Sequence, residues 1–187
     1  MTDAAFPKDA VWIGSDHPFD LHEAYLCFRR VFTLATLPQH AELWITADSR
    51  YKLWVNGRFV ARGPARSWPQ AQCLDRLDIV PHLRTGLNDL AAQVYQPGYS
   101  HFAYVHRGAA GLLVWLVSDD ATMLMTGRDW RTRRDPSFAA VVPQISIYSS
   151  GMEERDLSLD EDWQSPDYDN SRWANARVVA PLGGYPW

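Results

Sequence analysis

Two stretches of the chain concentrate side chains able to grip a polar ligand: "RGPARSWPQ" (62–70) and "QPGYSHFAYVHRG" (96–108). Planar aromatics offer a face to the C–H side of a sugar ring, and Arg and His donate hydrogen bonds to its hydroxyls. That pairing of groups recurs in concave sites with a few placed polar side chains. Arg66, Trp68, Tyr99, His101 and Tyr104 are therefore the candidate ligand contacts, as stacking platforms and hydroxyl donors. The competing arrangement has Arg62 and Arg66 paired with Asp75 and Asp78 across strands, and Trp68 packed on a sheet edge.

Other chemistries lack their residues. "GYSHF" (98–102) has Gly98 and Ser100 but Phe102 where a nucleophile elbow needs its second Gly. His101 and His106 have no further ligands at helical or knuckle spacing, so no zinc site is expected. Glycoside hydrolysis needs two carboxylates about 5 to 9.5 Å apart. Glu153, Glu154, Asp160, Glu161 and Asp162 are instead clustered in sequence, as on a solvated face, and no catalytic pair is identifiable. "DLSLDEDWQSPDYDN" lacks the Gly of a calcium-binding loop, and there is no Gly-rich phosphate loop. No cofactor and no metal are expected.

The elements that must position the candidates read as strands. "ELWITAD" (42–48) sets Leu43, Ile45 and Ala47 on one face, and "YKLWV" (51–55) does the same with Tyr51, Leu53 and Val55. Asn56-Gly57 suits the two positive-φ positions of a type I′ turn, and "RFVAR" (58–62) returns as the partner strand. Further strands are expected at "AVWIG" (10–14), 24–34, 72–79, 89–96, 111–118, "ATMLMT" (121–126), "PQISIYS" (143–149) and "ARVVAP" (176–181). Pro81 can open one helical turn and Gly86 close it. Many short strands split by turn signals argue for an all-β, antiparallel sandwich or barrel, with the apolar run 111–117 at a sheet centre. From Gly151 the texture becomes acidic and aromatic. The expected organisation is a β-sandwich module over 1–150, closed by a segment over 151–187 pinned by Trp163 and Trp173.

Composition narrows the classes. The 187 residues are 47% apolar with 18 basic against 22 acidic side chains, and no Lys/Arg block marks a nucleic-acid binder. The longest apolar run, 111–117, is too short to span a bilayer, and the N-terminus shows no secretory signal. Cys27 and Cys73 read as reduced, buried thiols, which points to a cytoplasmic protein. Nine Trp, eight Tyr and seven Phe exceed the needs of one core, so some aromatics should face solvent.

The segment from Tyr51 to Gln96 carries an ordered set of motifs: the aromatic–aliphatic strand, the Asn56-Gly57-Arg58 hairpin, the "GPAR" loop (63–66), the "DRLDI" strand (75–79) and "LRTGLN" (83–88). With "CFRRVFTL" before it, and "GLLVWL", "TGRDWRTR" and "MEERDLSLDEDWQSPDYDNSRWANA" after it, the chain resembles the N-terminal β-sandwich domain of bacterial α-L-rhamnosidases. The resemblance implies a jelly-roll, galactose-binding-like fold that accompanies a catalytic helical barrel. In that family the catalytic carboxylates lie on the barrel, and no position here matches them. It implies a non-catalytic, carbohydrate-binding module, with L-rhamnose-containing glycans and the barrel of the same polypeptide as partners and neither nucleic acid nor membrane. The alternative is a structural or interaction domain without a sugar site, packing on the barrel or self-associating.

Overall fold

A computed structural model describes residues 6–15, 22–68, 70–119 and 121–187. Its strands, in chain order, are β1 (Val11–Gly14), β2 (Ala24–Leu34), β3 (Ala41–Asp48), β4 (Arg50–Val55), β5 (Arg58–Gly63), β6 (Asp75–Asp78), β7 (Gly86–Gln96), β8 (Gly111–Ser118), β9 (Ala121–Met125), β10 (Arg131–Arg134), β11 (Ala174–Asn175) and β12 (Arg177–Pro181). Two 3₁₀ turns, Val80–His82 and Leu157–Leu159, are the helical elements among the described residues. No helix there is long and apolar enough to cross a membrane.

All pairings are antiparallel and fall into two six-stranded sheets. One runs β12-β1-β8-β3-β6, with β9 beside β8. The other runs β11-β10-β2-β7-β4-β5. The chain passes repeatedly from one sheet to the other, as at β2 to β3, β3 to β4, β6 to β7 and β9 to β10. This is the expected antiparallel jelly-roll sandwich. Period-two side chains fill the space between the sheets: Leu26 and Phe28, Leu43 and Ile45, Leu53 and Val55, Leu90 and Val94, Leu112 and Val114. β8 is covered on both faces, because Leu113 and Trp115 pack outward against Phe6, Ala10 and Trp12.

The hairpin forms as its sequence dictates. Asn56 and Gly57 have φ of 51° and 75°. The Asn56 side chain also ties the turn inward, donating to His82 O and Asn88 Oδ1 and accepting from the Asp89 amide. The turn at Val80–His82 has Pro81 in its first positions. Gly86, at φ 87°, opens β7 instead of merely ending the turn.

Three expectations differ from the structure. Residues 143–149 form no strand: Ser146 Oγ accepts from the Tyr148 amide and curls the chain, while Ile145 and Ile147 stay 76% and 73% exposed. The expected strand 72–79 is reduced to β6, because Gln72 leaves the ladder to donate to Thr46 Oγ1 and Ala47 O. Cys27 is fully buried, but Cys73 is only partly so.

The stretch from Gly151 supplies an edge strand to each sheet, β11 beside β10 and β12 beside β1. Ahead of these strands in the chain, Trp163 and Trp173 pack on Cys27, Ala91 and Trp54, covering part of the second sheet's outer face. Arg29, buried in that face, donates to Asp89 Oδ2 at 2.8 Å and to the carbonyls of Tyr168 and Ser165, which clamps the segment down. Burial pushes the Asp89 carboxyl above its ordinary value, with Arg29 pulling the other way.

Candidate functional site

Another part of that outer face is open. Alternation along β2, β7 and β4 turns Leu26, Val94 and Leu53 inward, and so turns Tyr25, Gln93, Tyr95, Arg50 and Lys52 outward. Strand register brings them side by side: Tyr25 lies opposite Tyr95, Arg50 opposite Tyr95, and Lys52 between Gln93 and Arg62. With Gly63, Pro64, Ala65, Asp75 and the overlying Ser150, Gly151 and Glu153, they enclose a cleft of about 690 Å³.

Tyrosines wall this cleft. The Tyr25 and Tyr95 ring centroids are 4.9 Å apart, and Phe138 stacks behind Tyr25 at 3.7 Å. The Tyr25 hydroxyl donates to Glu153 Oε2 at 3.3 Å and the Tyr95 hydroxyl to Glu23 Oε2 at 2.6 Å. Burial raises both phenols and the neighbouring carboxylates raise them further, so both stay protonated as donors. Glu23 is buried and also accepts from the Tyr99 hydroxyl and the Gly151 amide, joining β2, the 98–107 loop and the 150–153 segment.

Gly63 sets the cleft's edge. A Cβ there would sit 2.0 Å from Asp75 Oδ2 and 3.0 Å from the Tyr51 ring, so a larger residue would have to push the Asp75 carboxylate out of its place. Beyond it the chain continues through Pro64 and Ala65, which the cleft shares with a smaller hollow of about 100 Å³. Asp48, Arg50, Arg66, Gln72 and Tyr104 line that hollow. It passes in turn into a groove of about 150 Å³ lined by Arg66, Trp68, Phe102 and Tyr104. The three concavities share lining residues and form a track of adjoining hollows.

The five residues singled out from sequence divide along this track. Arg66, Trp68 and Tyr104 meet at its far end, where Trp68 is 63% and Phe102 is 71% exposed. Tyr99 and His101 line none of the three hollows. The Tyr99 hydroxyl, pushed up to about 12 by burial and by Glu23, is engaged by Glu23. His101 Nδ1 accepts the Ala103 amide, and its buried Nε2 has no partner. Burial and the Arg50 and Arg66 charges hold the His101 pKa below the ordinary value. Tyr104 donates to the buried Asp48, which also accepts from Trp187 Nε1 at 2.6 Å. Burial raises the Asp48 carboxyl against those two donors.

Neither Arg62 nor Arg66 pairs with Asp75 or Asp78 among the described residues. Asp75 accepts from Tyr51 and Asp78 caps the Val80 amide. The cleft residues Tyr25, Arg50, Lys52, Gln93 and Tyr95 were not among the sequence candidates. Their only sequence signal is position, on the strand face opposite the apolar one. No group of three or more His, Cys, Asp or Glu residues that could hold a metal ion occurs among the described residues.

Comparison with known proteins bears on this arrangement. Residues 37–184 match the family model of the α-L-rhamnosidase N-terminal domain. An α-L-rhamnosidase of Streptomyces avermitilis is 26% identical over 165 residues, covering 86% of this chain and 13% of that protein. The crystal structure of a GH78 family rhamnosidase of Bacillus sp. GL1 superposes with a TM-score of 0.90 at 38% identity, over 96% of this chain and 19% of that one. A lectin of Pleurotus ostreatus shares the fold at 20% identity, with a TM-score of 0.63 over 96% of this chain and 44% of the lectin. The chain thus spans less than a fifth of the length of either rhamnosidase.

Proposed function

This chain belongs to the α-L-rhamnosidase N-terminal domain family, and on that premise we propose that it is a non-catalytic carbohydrate-binding module of an α-L-rhamnosidase-like glycoside hydrolase. The observation that carries the reading is the row of adjoining hollows from the Tyr25–Tyr95 wall, past the 63–66 loop, to Trp68 and Phe102. Its length and polarity suit an oligosaccharide. Arg50, Lys52 and Arg62 donate to hydroxyls, Asp75 and Glu153 accept from them, and the exposed Trp68 ring offers a stacking face. In this reading Arg66, Trp68 and Tyr104 touch the sugar, while Tyr99 and His101 hold the wall in place behind it. The fold it shares with a fungal lectin is in keeping with such a role.

The test is calorimetric titration of the 187-residue chain with L-rhamnose and a panel of plant and bacterial oligosaccharides. Millimolar or tighter binding of an oligosaccharide, weakened by Arg62→Ala, is the expected result. Absence of binding across the panel overturns the reading.

A second reading, an interaction domain without a sugar site, draws on a different observation. Val141, Ile145, Ile147 and Tyr148 project from one loop with most of their surface exposed. It predicts a dimer in sedimentation that a Val141→Ser, Ile145→Ser, Ile147→Ser variant disrupts, or rescue of barrel-domain solubility by this chain that the variant loses.

A further inference from the structure

We propose that the cleft takes a uronic-acid-bearing saccharide, with the sugar carboxylate held by Arg50, Lys52 and Arg62. The inference rests on the carbohydrate-binding reading above and narrows it to an acidic ligand.

The three cations converge through the ladder itself. Lys52 lies directly opposite Arg62 in the β4–β5 pairing, and Arg50 is two positions back on the same face. Like charges facing one another across a strand pair destabilise a sheet. Neighbouring carboxylates usually relieve such a cluster, and here they do not. Among the described residues the ion pairs use Arg29, Arg30, Arg76, Arg133 and Arg155, and none uses the cleft cations. Arg50 instead lies over the Tyr95 ring at 5.6 Å.

The carboxylates of the cleft already have other donors. Asp75 accepts from Tyr51 and Glu153 from Tyr25, while Glu23, behind the wall, accepts from Tyr95, Tyr99 and the Gly151 amide. The acids are therefore served by neutral groups and the bases lack an anion. The lining, Arg50, Lys52 and Arg62 against Asp75 and Glu153, is left with one positive charge in excess. A guanidinium fork matches a carboxylate in two parallel hydrogen bonds, and Lys52 adds a point charge. A uronate thus sets its carboxylate on the β4–β5 wall and leaves its ring hydroxyls to Asp75 beside Gly63 and to Glu153 beside Tyr25. A neutral sugar leaves the three cations facing one another.

The experiment compares acidic sugars with their own reduced forms. The 187-residue chain is titrated with a galacturonic-acid trisaccharide and a glucuronic-acid disaccharide, each beside the neutral sugar obtained by reducing its carboxylates. At least one acidic sugar is expected to bind about tenfold tighter than its reduced partner, the worth of one charge-assisted contact. That preference should shrink as salt rises, because exposed charges are screened. A Lys52→Gln, Arg62→Gln variant should lose the preference while keeping the circular-dichroism spectrum and a thermal midpoint no lower than the parent's. Equal binding of acidic and reduced forms, or a preference that survives in the variant, overturns this inference and leaves the carbohydrate reading standing. Absence of binding to all four probes, together with silence across the wider panel, overturns both.

Discussion

The Tyr51 hydroxyl donates to Asp75 Oδ2 at 2.5 Å, strapping β4 of one sheet to β6 of the other at the rim of the cleft. Burial and the Asp75 carboxylate both raise the phenol, so the strap stays protonated well above neutral pH. Tyr51→Phe keeps the buried ring and removes the donor. It should lower unfolding stability by about 1 to 2 kcal/mol, read from denaturant midpoints. Gly63→Ala should cost at least as much, since its Cβ collides with that same Asp75 oxygen.

Trp163→Ala should do more damage. The side chain is 1% exposed and sits between Trp54 and Trp173 over Cys27 and Ala91. A loss of about 3 to 5 kcal/mol is expected for emptying such a site. Hydrogen exchange should quicken first over 160–173, where Arg29 grips the carbonyls of Ser165 and Tyr168.

Two histidines give stability a pH dependence of known sign. Burial lowers the pKa of both His101 and His106 from the ordinary 6.5, with Arg50 and Arg66 adding at His101 and His22 at His106. The unfolded chain then binds protons that the folded one refuses, so stability is full above pH 6.5 and falls as pH drops towards the folded values. The geometry gives the reason at His101: its Nδ1 already accepts the Ala103 amide and cannot take a proton without losing it. A His101→Asn, His106→Asn variant should flatten the pH 5 to 7 limb of the stability profile. An unchanged limb would assign it to other groups.

The two thiols should separate cleanly in an alkylation experiment. Cys27 is fully buried, and its thiol is raised well above the ordinary value by burial and by Asp135, to which Sγ lies 3.8 Å away. Iodoacetamide should label Cys73 in the native protein and reach Cys27 only through unfolding, as read by peptide mass spectrometry.

Trp68→Ala should act by ligand length. If the track binds one oligosaccharide, a sugar confined to the Tyr25–Tyr95 cleft should be unaffected. One long enough to reach the Trp68–Phe102 groove should lose about fivefold in affinity. An undiminished affinity for the longer sugar would place Trp68 outside the sugar's path.

The hairpin was legible in the sequence because everything that fixes it is local: Asn56 and Gly57 at positive φ, with alternating faces on either side. Trp163 and Trp173 were legible as pins because large aromatics in a polar segment need a surface to bury against. The cleft was not. Tyr25, Arg50 and Tyr95 come from strands far apart in the chain, and only the β2–β7–β4 register brings them together. The roles of Tyr99 and Tyr104 were hidden for the same reason, since Glu23 and Asp48 lie 76 and 56 residues away. "PQISIYS" misleads because alternation reports only that two faces differ. Among the described residues the segment joins neither sheet, and Ser146 turns the backbone on itself.

The pairing of β1 with β12 has a consequence for how the protein is made. Val11 lies opposite Pro181, so β1 lacks its outer neighbour until synthesis has passed residue 181. β10 waits in the same way for β11. Until then β1 and β10 are themselves exposed sheet edges, a state open to wrong pairing with a neighbouring nascent chain. Contacts this distant in sequence also make for slow folding. Premature termination just before Ala174 would leave most of the core sequence intact and both sheets unfinished, and such a product should aggregate rather than fold.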